Sequence, residues 1–190
     1  MGSATDPRSR GFYSMMDTRN ESIFAFDTPL GTCAVRWTDA GLASVRLPSH
    51  RTAALPRVAD TAAIPDPVRA AIDGIVAVLG GAPLDLAFVR LDERGIDPFR
   101  RAVYAATRTV PPGSTATYGD IARAIGRPDG ARDVGAALAS NPFPIVVPCH
   151  RVVGAGGKLT GFSAPGGLAT KRRMLELEGA PGYGQQTFFE

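Results

Sequence analysis

Three short runs rich in apolar and β-branched residues, Ser22 to Asp27, Thr32 to Trp37 and Leu42 to Leu47, follow one another with little but turn residues between them: Pro29, Gly31, Asp39 and Gly41. Links this tight join strands antiparallel, because a parallel pair needs a crossover of about a dozen residues. The chain therefore opens on a small antiparallel sheet. Pro48 to Pro65 reads as a loop by composition, and Asp66-Pro67 predicts a helix with Asp66 as N-cap and Pro67 at its first position. That helix runs to about Leu79, where Gly80-Gly81 stops it, and a further strand over Leu84–Val89 completes an α+β unit spanning 17–91.

The patterning changes after Asp92-Glu93-Arg94-Gly95, a charged stretch that reads as a linker into a mainly helical unit over 96–190. A helix over about Pro98–Thr109 is followed by the turn Pro111-Pro112-Gly113. Thr117 and Asp120 then have the spacing of a capping box, which places Tyr118 in the first turn of the next helix. Gly126-Arg127-Pro128 ends that helix, Asp129 can cap another, and Asn141-Pro142 closes it. Two short helices joined by a tight turn predict a helix-turn-helix. The fold class is α+β: a small antiparallel-sheet N-terminal domain plus a mainly helical, winged-helix-like C-terminal domain. In the second helix of the pair Ala131, Val134, Gly135 and Leu138 have core-facing spacing, leaving Gly130, Arg132, Asp133, Ala136, Ala137 and Ser140 outward. Those mostly small residues would let the helix approach a groove, although a plain Ala-rich packing helix reads the same way.

No apolar run approaches the ~20 residues that span a bilayer, and Met1 to Met16 lack the apolar stretch of a secretory signal, so no membrane and a cytoplasmic location are expected. Residues 1–16 read as a disordered or tag-like leader. Two cysteines do not make a disulfide framework, so any special cysteine is expected to be chemical. The formal charge of +3 is only a weak lean toward polyanions.

Ile145-Val146-Val147 has the pattern of a short buried strand and delivers Cys149 within Pro148-Cys149-His150-Arg151-Val152-Val153. A lone cysteine is more often an inert small hydrophobe, and Cys33, set within a strand, fits that description. Around Cys149, Pro148 fixes the backbone while His150 and Arg151 supply the polar, positive surroundings that lower a thiol pKa. Neighbours in an extended chain point to opposite sides, so His150 can serve Cys149 only if the backbone turns or a water bridges them. The other of the two histidines, His50, has no visible partner. No ligand-pair spacing is present, so no metal is expected. Gly154-Ala155-Gly156-Gly157 has no phosphate-loop pattern and reads as a hairpin turn.

The run from Asn141-Pro142 through Pro144-Ile145-Val146-Val147-Pro148-Cys149-His150-Arg151 to Gly154 resembles the signature of the O6-alkylguanine-DNA alkyltransferases, also called methylated-DNA–protein-cysteine methyltransferases. The likeness extends over about Asp97–Gly179, and Asp27-Thr28-Pro29-Leu30-Gly31 is similar to the family's first hairpin. The resemblance implies direct-reversal repair of O6-alkylguanine in double-stranded DNA: a suicide, single-turnover transfer of the alkyl group to Cys149, by a monomer and without a cofactor. It implies that His150, a water and Glu178 activate Cys149, that Asn141 braces the active-site turn, and that Tyr118 gives a proton to the departing guanine. The target atom cannot be reached inside a duplex, so the nucleotide flips out, with Arg132 filling the vacated space. The loop 161–167 would close the pocket, with Ser163 hydrogen-bonding the base, Phe162 stacking on it, and Pro148 and Val152 lining the site. Thr117, Gly130, Ala131, Ala136, Ser140 and Arg151 would meet DNA beside Arg132. A final helix over about Gly167–Leu177 would present Glu178; its Lys171-Arg172-Arg173 run, taken alone, is a solvated face.

Two positions depart from the family pattern. Asp133 stands where a small apolar residue is usual, and Tyr104 where Trp is common. Between Tyr118 and His150, Arg123, Arg127 and Arg132 are matched by Asp120, Asp129 and Asp133, so this stretch carries no net charge with histidine neutral. Helix N-terminal dipoles can still hold phosphate. Three rival readings follow: a thiol that accepts alkyl groups from a small-molecule donor, a lesion-binding protein without transfer, and a cysteine hydrolase, for which no oxyanion hole is evident.

Overall fold

The structure is a computed structural model, and it describes residues 22–55 and 64–184; the leader 1–16 lies outside them. Strands β1 (Ser22–Thr28), β2 (Gly31–Thr38) and β3 (Gly41–Arg46) form an antiparallel sheet in the order β1-β2-β3, as the turn spacing requires. Trp37 stacks on Phe24 across β1 and β2 with ring centroids 4.8 Å apart. Gly41 opens β3 with φ 143°, and a Cβ there would lie 2.6 Å from the Arg90 carbonyl oxygen, so this turn admits only glycine.

The strand expected over Leu84–Val89 does not form. Leu86 and Val89 are buried while Leu84 and Phe88 are exposed, a spacing of three and not the period of two of a strand. The carbonyls of Leu86, Ala87 and Val89 accept from the Arg108 guanidinium at 2.9, 2.9 and 3.0 Å instead of from a neighbouring strand. Only Leu91 bridges the sheet, at Leu42. Within the stretch read as a loop, a short helix α1 (His50–Ala53) forms behind a capping box of Ser49 and Thr52. Helix α2 (Asp66–Leu79) follows, with Pro65 at the cap and Asp66 in the first turn. The Asp92 to Gly95 segment is pinned to the sheet, since the Asp92 carboxylate accepts from Thr38 Oγ1 at 2.7 Å and from Arg94 Nη2 at 2.6 Å.

In the second half, α3 (Pro98–Arg108) is capped by Asp97. The two-residue β4 (Ala116–Thr117) leads into α4 (Tyr118–Ala124) through the Thr117/Asp120 capping box. Helix α5 (Ala131–Ala139) completes the helix-turn-helix, capped by Gly130 and not by Asp129. Val134 and Leu138 face inward as expected, but so does Ala137, because α5 packs on α3 as well as α4 and the Ala137 carbonyl accepts from Tyr104 Oη at 3.2 Å. Tyr104 itself is fully buried.

The residues Ile145 to Val147 are buried, yet they form a turn and not a strand. Ile145 sits at φ 77° and Val147 N donates to the Phe143 carbonyl at 2.7 Å. Pro144 and Pro148, which have no N–H to give a ladder, bracket this turn. Cys149–Arg151 then forms one turn of 3-10 helix, followed by β5 (Val152–Val153), which pairs parallel with β4. Ala155–Gly157 is a second 3-10 turn, made by Gly157 N donating to the Gly154 carbonyl at 3.1 Å, with Gly154 N donating to the Lys158 carbonyl across it, in place of the expected hairpin turn. Helix α6 (Gly167–Leu177) is the last helix among the described residues and has the bounds that the resemblance implies. One buried cluster runs through both halves, joining Val35, Trp37 and Ile75 to Val103, Val134 and Cys149. Among the described residues no helix is long and apolar enough to cross a membrane.

Candidate active site

Cys149 stands at the first position of the 3-10 turn and is 9% exposed, on the wall of a cavity of about 1230 Å3. The turn is held from below. Asn141 Nδ2 donates to the Val147 carbonyl at 2.9 Å and its Oδ1 accepts from Phe143 N at 2.9 Å, so one side chain ties both ends of the Phe143 to Val147 loop. The 3-10 conformation also answers the problem of neighbouring side chains, because the backbone turns at Cys149 and His150 is carried into the interior behind it, fully buried.

There His150 Nε2 lies 2.9 Å from Glu178 Oε1. Arg151 closes on the same carboxylate with Nε to Oε2 at 2.9 Å and Nη2 to Oε1 at 2.8 Å, and gives Nη1 to the Val110 carbonyl at 2.7 Å. Burial alone would raise the Glu178 pKa, but the hydrogen bonds from His150 and Arg151, with their charges, bring it down to about 2. Burial pushes His150 the other way, below its ordinary value, against the pull of Glu178. The pair thus rests as carboxylate and neutral imidazole, with the Nε2 proton directed at Glu178. Nδ1 is left with no protein partner among the described residues.

The expectation that the surroundings lower the Cys149 pKa is not met. Burial raises it, and the bond to Asn141, the Lys171 charge and nearby backbone N–H groups only partly offset this. Arg151 cannot help, since its charge is spent on Glu178. The resting nucleophile is a thiol that must lose its proton to a base. Cys33 is fully buried, with burial raising its pKa to about 11, in keeping with an inert core residue.

Tyr118, in the first turn of α4, donates to the Thr160 carbonyl at 3.2 Å. Burial raises its pKa and keeps the phenol protonated. Beneath it lies a residue of the basic Lys171-Arg172-Arg173 run that is not solvated. Lys171 is fully buried in α6, with Nζ 2.5 Å from the Val152 carbonyl oxygen, 3.0 Å from that of Thr160 and 5.7 Å from the centre of the Tyr118 ring. Burial lowers its pKa to about 8. Lys171 shares a helix face with the buried Met174 and Leu175, and that spacing was the signal that could have revealed it.

Of the other expected site residues, Asn141, Tyr118, Phe162, Ser163, Thr117, Ala131 and Arg132 line the Cys149 cavity. The Ser163 hydroxyl donates to the Ala139 carbonyl at 2.6 Å, joining the closing loop to the end of α5. Pro148 and Val152 are buried and do not line the cavity, because the 3-10 turn directs them into the core. Arg151, expected at DNA, is 4% exposed and locked into its ion pair. Ala136 and Ser140 face a separate, smaller depression together with Asp133, and Gly130 serves as the α5 cap. No group of three or more His, Cys, Asp or Glu among the described residues could hold a metal ion.

Comparison with known proteins places these features in a family. Residues 98–180 match the model of the 6-O-methylguanine DNA methyltransferase DNA-binding domain. A methylated-DNA–protein-cysteine methyltransferase of Mycobacterium tuberculosis H37Rv is 45% identical over 128 residues, covering 66% of this chain and 75% of that protein. The corresponding protein of Methanothermobacter thermautotrophicus is 34% identical over 158 residues, 83% of this chain and 85% of that one. Among solved structures, the Mycobacterium tuberculosis OGT in complex with DNA superposes with a TM-score of 0.65 at 39% identity, covering 85% of this chain and 96% of that one. With a buried Cys-His-Glu arrangement, a helix-turn-helix beside it and relatives matched along most of their length, this chain belongs to the methylated-DNA–protein-cysteine methyltransferase family.

Proposed function

We propose that this protein repairs O6-alkylguanine in DNA by moving the alkyl group onto Cys149, once per molecule. The observation that carries the reading is the thiol at the cavity wall with a neutral, Glu178-oriented histidine directly behind it. The Cys149 proton passes through one water to His150 Nδ1, and Glu178 stabilises the imidazolium that results. The thiolate then attacks the alkyl carbon, a C–S bond forms, the C–O6 bond breaks, and its electron pair stays with guanine. Tyr118, kept protonated by burial, supplies a proton to the guanine ring. The donor is the lesion and the acceptor is the protein, so the chemistry needs no cofactor.

Arg132 lies at the cavity edge on α5, suited to fill the space left by a flipped nucleotide, while Phe162 and Ser163 bound the pocket that would receive the base. DNA as substrate implies a cytoplasmic or nucleoid location. A division near Asp92 to Gly95 into a supporting unit and an acceptor unit fits the family match, which begins at Pro98. The test is stoichiometry. Protein mixed with an excess of duplex bearing one O6-methylguanine should take up one methyl group and then stop; continued turnover or no uptake would reject the proposal.

A further inference from the structure

The N-terminal unit reaches the acceptor cavity. The end of β3 and the start of α1 place Val45, Arg46, Leu47, Ser49 and Arg51 on its wall. The placement is fixed by backbone bonding: Val45 N donates to the Pro142 carbonyl at 2.8 Å, tying β3 to the loop that leads to Cys149. Leu47 and Thr52 are buried and anchor the segment, whereas Arg46 and Arg51 are exposed.

The charge around this cavity is one-sided. Arg46, Arg51, Arg123 and Arg132 line it, and no Asp or Glu does. Arg123 is neutralised by its ion pair with Asp120. Arg46, Arg51 and Arg132 make no ion pair or side-chain hydrogen bond among the described residues, so three uncompensated guanidinium groups face one opening. Helices α4 and α5 carry no net charge of their own between Tyr118 and His150, so an attraction for a polyanion must come from outside them. At about 1230 Å3 the cavity also exceeds the roughly 300–1,000 Å3 typical of a drug-sized ligand, leaving room for more than one base.

We infer that Arg46 and Arg51 bind backbone phosphates of the lesion-bearing DNA, making the N-terminal unit part of the DNA-binding surface. The inference rests on the repair reading for its partner. Such contacts position the duplex without reading its sequence. Each phosphate neutralised adds about 0.9 to the slope of log affinity against log salt, which is about 3.5-fold in affinity between 50 and 200 mM salt. Removing both should therefore cut the salt-induced loss by about 12-fold.

The experiment is a fluorescence anisotropy titration of a labelled, unmodified duplex at several salt concentrations, using the full chain, Arg46→Gln, Arg51→Gln, the double variant and the Arg→Lys versions. Because the duplex carries no lesion, this readout is independent of alkyl transfer; wild-type protein that binds but takes up no methyl group would sink the repair proposal and leave the arginine assignment to stand on binding. The expected result is a slope shallower by about one for each Gln substitution, on every duplex sequence tried, and retained by Lys. Slopes unchanged in the double variant would overturn the inference. A second arm compares transfer from duplexes bearing O6-methylguanine and O6-carboxymethylguanine. A defect confined to the acidic adduct would assign the arginines to the lesion's own substituent and likewise overturn the phosphate assignment.

Discussion

His150 Nε2 lies 2.9 Å from Glu178 Oε1, with both side chains sealed from solvent at 0% and 1% exposure. Because Glu178 is held ionised and His150 neutral, the bond fixes the tautomer that leaves Nδ1 open to receive a proton. Glu178→Gln would remove that bias and strand the Arg151 guanidinium in the interior. Losing one partner of a buried pair costs about 3–5 kcal/mol, and losing an effective general base costs on the order of 10²-fold or more in rate. Urea unfolding should show the first and the rate of methyl transfer per folded molecule the second. Wild-type values for both would contradict the assignment.

Stability should fall in acid through the same pair. The folded Glu178 pKa of about 2 lies below its ordinary 4.5, so its contribution is fully present above pH 4.5 and is lost as pH drops toward 2. His150, lowered by burial, acts in the same direction below its ordinary 6.5, because the unfolded chain takes up a proton that the folded state resists. Glu178→Gln should therefore be less stable than wild type at neutral pH, and the gap should narrow as pH falls from 4.5 toward 2. Parallel stability curves across that range would be evidence against it.

Lys171 links the closing loop to the reaction centre through the Thr160 carbonyl, which it shares with Tyr118. Its ammonium also favours the Cys149 thiolate. Lys171→Met should remove the side-chain donor to the Val152 carbonyl, at about 1–3 kcal/mol if that group is left unsatisfied, while the Thr160 carbonyl keeps its bond from Tyr118. With the Lys171 pKa near 8, the wild-type transfer rate should bend as pH rises through that value and the charge is lost, while the variant shows no such bend. A bend that persists in Lys171→Met would assign it to another group.

Asp133 is exposed on α5 and makes no ion pair among the described residues, so it presents an uncompensated negative charge near the expected path of DNA. Asp133→Ala should tighten duplex binding at low salt, with the gain fading as salt screens the repulsion. Equal affinity for variant and wild type at every salt concentration would refute the electrostatic account.

The elements that were legible in the sequence are those whose ends are set by local chemistry. The Asp66-Pro67 start, the Thr117/Asp120 box, and the Gly126-Arg127-Pro128 and Asn141-Pro142 stops each mark a helix boundary within a few residues of themselves. The apolar stretch Leu84 to Val89 misled because only Leu86 and Val89 are buried and the hydrogen-bond partner of its carbonyls, the Arg108 guanidinium, comes from a distant helix. Ile145 to Val147 failed similarly: apolar content indicates burial but not the positive φ that makes a turn. At the site, Cys149, His150 and Asn141 stand in one contiguous run, while the roles of Asn141, Tyr118 and Glu178 came from the family resemblance that this run carries. Arg151 and Lys171 were misread as surface cations, since only tertiary packing brings Glu178 to one and the Val152 and Thr160 carbonyls to the other. Arg46 and Arg51 carried no local signal at all, their relation to Cys149 resting on the bond between Val45 and Pro142.

The central claim is tested most directly by intact-protein and peptide mass spectrometry after incubation with a duplex carrying one O6-methylguanine, with Cys149→Ala and Cys33→Ala alongside. The account expects one added methyl group, located on Cys149, abolished in Cys149→Ala and retained in Cys33→Ala. A methyl group on any other residue, or none on Cys149, would contradict it.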